Sequence, residues 1–293
     1  MADNIGNKAA HDYHLDVPVA QEGFYVKGAA HCDFGMKSRL ARMFDPKSGN
    51  TVMLAFDHGY IMGPTAGLER IDLVIPPLAP YVNVLMGTKG VIRSCISPAA
   101  PMAKCVRVNY DSTVLYDDMS NGGGIACDME NALRMDAACV AVQTFIGAPG
   151  ESRSLELLCR TADAGTRYGM PTLGVVAVGK QMERTEKFFL LATRVLAENG
   201  ANMVKSYYCD GFERVAAACP VPIVIAGGKK LPELDALEMA YKAIQEGAHG
   251  VDMGRNIFQS DCPAGMAQAI GKVVHEGYTP KQAFEVYETV KHS

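Results

Sequence analysis

Lys205 lies in a short apolar segment between two helical patterns, and a lysine in such a place can do covalent chemistry. The segment, ANMVKSYY, begins after a helical pattern that ends at Gly200 and precedes another that begins near Gly211. An apolar segment of this length between helices predicts a buried strand of a parallel sheet. Burial disfavours the ammonium form of a lysine and favours an amine that can attack a ketone. The alternative is a lysine held in a salt bridge at a strand end.

Asp57 and His58 form a second candidate pair, directly after the apolar segment TVMLAF. A carboxylate beside an imidazole at the end of a strand can transfer protons or bind a substrate hydroxyl. Two structural roles compete with this interpretation. Asp57 can cap the turn that follows, and His58 can be a histidine of the hydrophobic core.

Glycines at the ends of two later apolar segments suggest a phosphate site. PIVIAGG ends in Gly227 and Gly228, and HGVDMG ends in Gly254, which directly precedes Arg255. Glycines leave backbone N–H groups open to a phosphate, and a helix that begins after Gly254 would add a positive dipole end. An arginine can bind two phosphate oxygens at once. We therefore predict that these four residues bind the phosphate of a substrate.

Eight apolar segments alternate with helical patterns from Thr51 onward, and these elements must position the candidate residues. Strands are predicted over 51–56, 83–87, 103–109, 137–147, 171–179, 202–208, 222–228 and 249–254. Helices are predicted over 65–75, 90–97, 127–136, 152–168, 186–199, 211–218, 232–246, 261–275 and 280–291. Eight strand–helix units predict an α/β fold of the (β/α)8 TIM-barrel type. A doubly wound open sheet is the alternative, although DHGY stands where its glycine-rich fingerprint would be expected.

The candidate residues all lie at or just after the C-terminal ends of predicted strands, where barrels of this type carry their active sites. The predicted phosphate residues follow strands seven and eight, a common place for a barrel phosphate site. Together these features predict an enzyme in which Lys205 forms a Schiff base with a phosphorylated ketose or diketone. The iminium would then draw electrons from a neighbouring C–C bond.

The chain is predicted to have two parts. Residues 1–50 would form an N-terminal arm and a short amphipathic helix over 36–44, packed on the barrel or on a neighbouring subunit. Residues 51–293 would form the barrel with its C-terminal helix. The first 30 residues show little periodicity. An arm that is ordered only by packing on another surface suggests a homo-oligomer.

Composition and charge narrow the classes of function. The formal charge of −4 over 293 residues gives no reason to expect nucleic acid or an anionic membrane as a partner. No apolar stretch approaches the roughly 18 residues of a membrane span, and the N-terminus lacks a secretory signal, so we expect a cytoplasmic protein. The nine cysteines form no CxxC pattern and the seven histidines form no HxH or HExxH, so we predict no metal site.

Long motifs in the chain resemble the class I aldolase barrel family. They are VMLAFDHGY, GPTAGLERID, MVKSYY, FERVAAACPVPIVIAGGKKLPELDALEM and GVDMGRNIFQSD. The segment DFGMKSRLARMFDPKSGN also belongs to the resemblance, although it is not general to barrels. The resemblance therefore covers nearly the whole chain apart from about the first 20 residues.

The resemblance implies a specific reaction. Lys205 would form an imine with the ketone next to the phosphate-bearing carbon of a phosphorylated diketone derived from autoinducer-2. Coenzyme A, a co-substrate rather than a permanently bound cofactor, would attack the acetyl carbonyl. Cleavage would release acetyl-CoA and dihydroxyacetone phosphate. The family also implies a ring-based homo-oligomer, a decamer.

One departure from related aldolases concerns the fifth strand. The related enzymes carry a tyrosine acid/base at its end, whereas this chain has GVVAVG. The absence of that tyrosine favours acyl transfer over a conventional retro-aldol reaction. Two alternatives stay open: a class I aldolase acting on another phosphorylated ketose such as fructose 1,6-bisphosphate, and a non-catalytic phosphosugar-binding barrel in which Lys205 is only a ligand.

Overall fold

Eight parallel strands close into a barrel in a computed structural model that describes residues 16–18, 24–116, 123–178 and 183–293. The strands are β1 Thr51–Ala55, β2 Val84–Thr88, β3 Ala103–Arg107, β4 Ala137–Thr144, β5 Thr172–Val176, β6 Met203–Tyr207, β7 Ile223–Ala226 and β8 Gly250–Met253. Each strand pairs with its neighbours in chain order, and β1 pairs with β8 to close the barrel. The predicted (β/α)8 barrel is confirmed, and the open-sheet alternative is wrong.

Twelve helices and one 3-10 helix are found among the described residues. The helices are α1 Phe34–Met43, α2 Gly59–Met62, α3 Ile71–Val74, α4 Lys89–Cys95, α5 Met129–Arg134, α6 Glu151–Tyr168, α7 Glu186–Glu198, α8 Phe212–Ala218, α9 Glu233–Gln245, α10 Arg255–Phe258, α11 Pro263–Glu276 and α12 Pro280–Lys291. The 3-10 helix spans Pro76–Tyr81. Among the described residues, no helix combines the length and the hydrophobicity that a membrane span requires.

The helix predicted over 65–75 is wrong in extent. Only Ile71–Val74 is helical there, while the short helix Gly59–Met62 begins soon after β1 and was not predicted. Gly67 has a φ of +86°, a left-handed conformation that interrupts a right-handed helix. Pro76 and Pro77 then end the α-helical path, because a proline lacks the N–H that the helix needs.

Every second residue of the strands fills the inside of the barrel. Met53, Cys105, Leu173, Met203 and Val224 belong to this inner cluster. The residues between them pack outward against the helices. Because side chains alternate along a strand, the same pattern directs the side chains two residues further on into the C-terminal mouth of the barrel.

The helix α1 packs against the opposite, N-terminal end of the barrel. Met36, Leu40 and Met43 of this helix are buried in the same cluster as the inner side chains of the strands. The side chain of Asp33 accepts a hydrogen bond from the Met36 N–H at 2.8 Å and so caps the first turn. Most of the arm predicted over the first 30 residues lies outside the described residues.

A short hairpin follows β3 on the C-terminal side of the barrel. Strand three was predicted over 103–109, but the barrel strand ends at Arg107. Residues 109–110 pair antiparallel with residues 124–125 instead. Asn109 therefore belongs to this small antiparallel pair and not to the barrel strand, and Asp111 follows it outside any strand.

Candidate active site

Lys205 and Asp252 form an ion pair inside the barrel mouth. Lys205 Nζ on β6 lies 2.9 Å from Asp252 Oδ2 on β8. The side chain of Asp252 is 0% exposed and that of Lys205 is 12% exposed. Residues that share an inner layer of such a barrel come from alternate strands, which explains why β6 and β8 supply this pair. Burial raises the pKa of the Asp252 carboxyl, and the positive charge of Lys205 opposes that rise only in part.

Asp57 forms a second buried ion pair, with Arg107 at the end of β3. Arg107 Nε and Nη2 approach Asp57 Oδ2 at 2.9 Å and 2.8 Å. Burial raises the pKa of Asp57, but the charges of Arg107, Lys205 and His58 outweigh it and hold this pKa at about 2. Asp57 is therefore a carboxylate at neutral pH, and its side chain binds Arg107 rather than capping the next turn.

His58 is a partly buried, neutral imidazole next to this pair. Its ring meets the ring of Phe258 edge-on, with the centroids 6.0 Å apart. Burial lowers the pKa of His58 to about 4; Asp57 opposes the shift, while Lys205 and Arg255 add to it. His58 Nδ1 is buried and has no hydrogen-bond partner among the described residues. His58 thus packs like a core histidine on one side and presents a free ring nitrogen on the other.

Asn256 joins the loops that follow β7 and β8. Its Nδ2 donates to the Gly227 carbonyl oxygen at 2.8 Å, and its Oδ1 accepts from the Leu231 N–H at 2.8 Å. The side chain is buried. Because both ends of the amide are occupied by loop backbone, Asn256 fixes the two glycine loops relative to each other.

Two of the glycines could not be replaced without strain. Gly228 has a φ of +67°, and a Cβ on Gly254 would lie 2.3 Å from the Ala55 carbonyl oxygen and 2.7 Å from His58 Cε1. The structure therefore brings Gly227, Gly228 and Gly254 to the same end of the barrel as His58. Their role in phosphate binding stays a prediction.

Arg255 and Arg184 supply positive charge beside these glycines. Arg255 begins α10, and its Nε is buried without a hydrogen-bond partner among the described residues. The guanidinium of Arg184 lies 3.9 Å from the centroid of the Tyr207 ring, and its Nη1 is 3.6 Å from the place of a Cβ on Gly228. Because α10 has only four residues, its dipole is small, and the arginines would supply most of the attraction for a phosphate.

Arg107 and Asp252 were not predicted as site residues, although the sequence carries a signal for them. Both are charged residues inside otherwise apolar predicted strands, which is the pattern that singled out Lys205. Arg184 carried no such signal, because it lies outside any strand. A third polar group was also missed: Asp111 Oδ2 accepts from the Tyr60 O–H at 2.9 Å and from Asn109 Nδ2 at 2.6 Å.

Five buried polar atoms at this end of the barrel have no hydrogen-bond partner within the described ranges. They are His58 Nδ1, Arg107 Nη1, Arg255 Nε and both carboxylate oxygens of Asp252, of which Oδ2 has only the ion pair with Lys205. Buried polar groups are normally paired, so unpartnered atoms grouped at one end of a barrel suggest a ligand site. The described residues at the other end also include unpartnered buried atoms, namely Arg39 Nε, Thr51 Oγ1, Thr172 Oγ1 and His249 Nδ1. Over the described part of the chain, no three His, Cys, Asp or Glu residues are grouped as a metal site would require.

Sequence comparisons identify close relatives of this chain. The family model of DeoC/LacD family aldolases matches residues 51–260. A 3-hydroxy-5-phosphonooxypentane-2,4-dione thiolase from Yersinia enterocolitica is 51% identical over 288 residues, which are 98% of each chain. A thiolase of the same name from Photorhabdus laumondii is 50% identical over 292 residues, 99% of this chain and 100% of the relative. An uncharacterised aldolase from Pasteurella multocida is 51% identical over 288 residues, 98% of this chain and 99% of the relative.

Solved structures share the same fold at lower identity. An archaeal fructose 1,6-bisphosphate aldolase superposes with a TM-score of 0.72 at 24% identity, over 83% of this chain and 100% of the other. A fructose-bisphosphate aldolase from Slackia heliotrinireducens superposes with a TM-score of 0.77 at 17% identity, over 90% and 94% of the two chains. At these identities the likeness concerns the barrel fold alone.

Proposed function

Because this chain belongs to the DeoC/LacD family of aldolases, we propose that it is an acyltransferase of the thiolase type that works through a Schiff base on Lys205. Its substrate would be 3-hydroxy-5-phosphonooxypentane-2,4-dione, which gives the related thiolases their name. The acetyl group would pass to coenzyme A, leaving dihydroxyacetone phosphate. In the cell this would be a step of autoinducer-2 degradation.

The observation that supports this most is the place of Lys205 in the barrel mouth. Its amine is largely buried, faces the cavity and has a carboxylate 2.9 Å away to exchange a proton with. If Lys205 only balanced the charge of Asp252, nothing would explain why other buried polar atoms at the same end of the barrel lack hydrogen-bond partners in the described part of the chain. The same geometry permits attack on a ketone, so Lys205 would be the nucleophile.

The reaction would proceed in steps that conserve atoms and charge. The Lys205 amine attacks the ketone next to the phosphate-bearing carbon, and loss of water gives a protonated imine. The thiolate of coenzyme A then attacks the acetyl carbonyl. As the bond between that carbonyl carbon and the hydroxyl-bearing carbon breaks, its electron pair moves towards the iminium and forms an enamine. Protonation of the enamine carbon and hydrolysis then release dihydroxyacetone phosphate.

The phosphate would bind where the loops after β7 and β8 meet. Gly227, Gly228 and Gly254 would present backbone N–H groups to the phosphate oxygens, and the unpartnered Nε of Arg255 offers a charged donor. Asp57 would remain ionised and, together with His58, would bind the substrate hydroxyl. A remote phosphate anchor of this kind holds the reacting ketone in place at Lys205.

The fifth strand favours acyl transfer over aldol cleavage. Its inward-facing residues Leu173 and Val175 are apolar, and no tyrosine follows them before Gly179. A retro-aldol reaction must remove a proton from a hydroxyl, whereas thiolysis of a diketone needs no such step at the bond that breaks. A class I aldolase on a phosphorylated ketose such as fructose 1,6-bisphosphate, or a non-catalytic phosphosugar-binding barrel, would be the outcomes if the test below fails.

Coenzyme A would act as a co-substrate rather than as a bound cofactor. We further propose a cytoplasmic homo-oligomer, a decamer, in which residues 1–50 help to hold the subunits together. Exposed apolar side chains such as Phe34 and Leu191 are available for such contacts. Sedimentation at several protein concentrations would measure the subunit count, and deletion of residues 1–30 would test the role of the arm.

Trapping of the imine tests the proposal directly. The protein would be incubated with dihydroxyacetone phosphate, reduced with borohydride and digested, and the adduct would be located by mass spectrometry. We expect the mass increment on Lys205 alone, its loss in Lys205→Ala, and its retention in Lys104→Met, which removes another buried lysine. With the diketone as substrate, acetyl-CoA should form only when coenzyme A is present.

Two results would contradict the proposal in different ways. Absence of an adduct on any lysine, with phosphate binding intact, would favour the non-catalytic barrel. An adduct on Lys205 combined with cleavage that does not depend on coenzyme A would favour the aldolase.

A further inference from the structure

Asp252 is placed to exchange a proton with Lys205. It is fully buried in β8, where it pairs with Met53 of β1 and Ala226 of β7, so its backbone is fixed on both sides. One carboxylate oxygen, Oδ2, is 2.9 Å from Lys205 Nζ, and the other, Oδ1, has no hydrogen-bond partner among the described residues. The carboxyl group thus contacts the reacting nitrogen, and its second oxygen has no partner among the described residues that would compete for a proton.

A structural role alone accounts poorly for this arrangement. Burial of two opposite charges costs free energy that the pair recovers only when the remaining polar atoms are also hydrogen-bonded. In Asp252 the second oxygen is not. The open oxygen instead matches the need of a reaction in which water must leave a carbon bonded to Lys205 Nζ.

The other titratable groups of the cavity are less suited to carry this proton. Asp57 has a pKa of about 2 because of the nearby positive charges, chiefly Arg107, so it stays ionised. His58 has a pKa of about 4 because of its burial, so it stays neutral. Burial instead raises the pKa of Asp252, which allows this carboxyl to hold a proton for part of a reaction cycle. Two carboxyl groups with oppositely shifted pKa values in one site commonly divide such roles between them.

We propose that Asp252 is a catalytic residue that moves the proton during formation and hydrolysis of the Lys205 imine. This inference rests on the proposed function. It assigns the proton transfer to a carboxyl group on strand eight, in a barrel whose fifth strand, GVVAVG, has no acidic or basic side chain to carry it.

Each proton in the step is accounted for. The Lys205 ammonium gives a proton to the Asp252 carboxylate, and the free amine attacks the ketone carbon. The amine's second proton passes to the carbonyl oxygen, which makes a neutral carbinolamine. Asp252 then returns its proton to the carbinolamine hydroxyl, and the hydroxyl leaves as water. The nitrogen lone pair forms the C=N bond, so the positive iminium ends beside the Asp252 carboxylate.

The test uses Asp252→Asn, which keeps the shape of the side chain and removes its proton transfer. The rate of borohydride-trapped adduct formation with dihydroxyacetone phosphate would be measured by rapid quench. Exchange of the ketone oxygen with ¹⁸O-labelled water would follow the same reversible imine without borohydride. We expect both rates to fall by about 100-fold or more, as for the loss of a general acid–base group.

A merely structural role would change other properties instead. Binding of inorganic phosphate and the thermal unfolding midpoint are therefore measured alongside the rates, and phosphate binding should remain as in the wild type. Glu246→Gln is the matched control, because Glu246 is a partly buried carboxyl that hydrogen-bonds Tyr208 and lies outside the cavity. Its trapping rate should be unchanged.

A second variant covers the case in which Asp252→Asn does not fold. In Asp252→Ala the cavity left by the carboxyl admits formate, which should restore part of the trapping rate in the variant and have no such effect on the wild type. A folded Asn or Ala variant that traps the adduct at the wild-type rate without formate would overturn the role of Asp252 and leave the proposed function standing. Absence of an adduct in the wild type would instead remove the proposed function itself.

Discussion

Two partly buried histidines, His275 and His58, lie at opposite ends of the barrel and have opposite surroundings. At the N-terminal end, His275 Nδ1 is 2.9 Å from Ser48 Oγ and His275 Nε2 is 2.9 Å from Asn83 Oδ1. The Val52 N–H also donates to Asn83 Oδ1, so this oxygen is an acceptor and His275 Nε2 carries the proton. At the C-terminal end, His58 Nδ1 has no partner among the described residues. The hydrogen-bonded groups around His275 stabilise the fold, whereas His58 Nδ1, without such a partner in the described part of the chain, is free to hydrogen-bond a ligand.

Two lysines on barrel strands show the same contrast. Lys104 Nζ lies 3.4 Å from Asp136, whose side chain is 69% exposed and remains solvated. Lys205 Nζ lies 2.9 Å from Asp252, whose side chain is 0% exposed. An ion pair with a solvated partner costs little free energy and contributes little stability. Burying both charges costs free energy that their attraction recovers only in part. The comparison indicates that the Lys205–Asp252 pair has a free-energy cost that the proposed catalytic role would explain.

The largest expected effect on stability follows from breaking the buried pair of Asp57 and Arg107. Arg107→Met leaves the Asp57 carboxylate buried without its partner, and the free energy of unfolding should fall by roughly 3–5 kcal/mol. Lys104→Met, which breaks the pair with the exposed Asp136, should cost at most about 1 kcal/mol. Urea unfolding of both variants measures the difference. Equal losses of unfolding free energy in the two variants would show that the ion pairs at the two ends of the barrel do not differ in their contribution to stability.

A second prediction compares the two histidines by acid titration. A histidine of ordinary pKa near 6.5 binds a proton in the unfolded chain, while folded His58 does so only near pH 4. Below pH 6.5 acid therefore favours unfolding, by up to about 3 kcal/mol on reaching pH 4. His58→Gln should remove most of this pH dependence. His275→Gln should remove less, because Asp45 and Glu276 oppose the lowering of the His275 pKa by burial.

Unfolding midpoints at pH 7 and pH 4.5 would check this ordering. A His58→Gln variant as sensitive to acid as the wild type would contradict the role of its buried neutral imidazole. The His275→Gln variant serves as the control, since both substitutions replace a buried imidazole by an amide.

A third prediction concerns the arginine at the proposed phosphate site. Arg255→Gln removes a charged donor, so the affinity for inorganic phosphate should fall by about 1.5–3 kcal/mol, or roughly 10- to 150-fold. Arg39→Gln is the control at the other end of the barrel, where Arg39 donates to the Gly169 carbonyl oxygen at 2.9 Å. Calorimetric titration with phosphate should separate the two. Equal phosphate affinities of the two variants would contradict a role for Arg255 in phosphate binding.

The smallest expected effect comes from the satisfied network. Ser48→Ala removes the hydroxyl that lies 2.9 Å from His275 Nδ1, and it should cost about 1 kcal/mol of unfolding free energy. The trapping rate at Lys205 should not change, because Ser48 lies at the far end of the barrel. Slower trapping of the imine at Lys205, with unchanged phosphate binding, would mean that the two ends of the barrel are energetically coupled.

Local patterns explain why the barrel could be predicted from the sequence. The strand predicted over 202–208 is observed over 203–207, and the helix predicted over 280–291 is observed at those residues. Apolar runs and helical periodicity involve only neighbours within a few residues, so they predict the local element without knowledge of the tertiary contacts. The helix predicted over 65–75 failed because Gly67 is left-handed where its loop meets Phe258, a contact from a distant part of the chain.

Local sequence patterns are enough to predict that Lys205 lies in a strand, that Asp57 and His58 follow another strand, and that glycines end two more. Which charged side chains meet depends on the closure of the barrel. Barrel closure brings Asp252 to Lys205 and Arg107 to Asp57, residues that are far apart in the chain. The sheet register sets these pairings, and the same burial then raises the pKa of one carboxyl while the ion pair lowers that of the other. The opposite pKa shifts of the two carboxyl groups therefore come from the fold and not from any local motif.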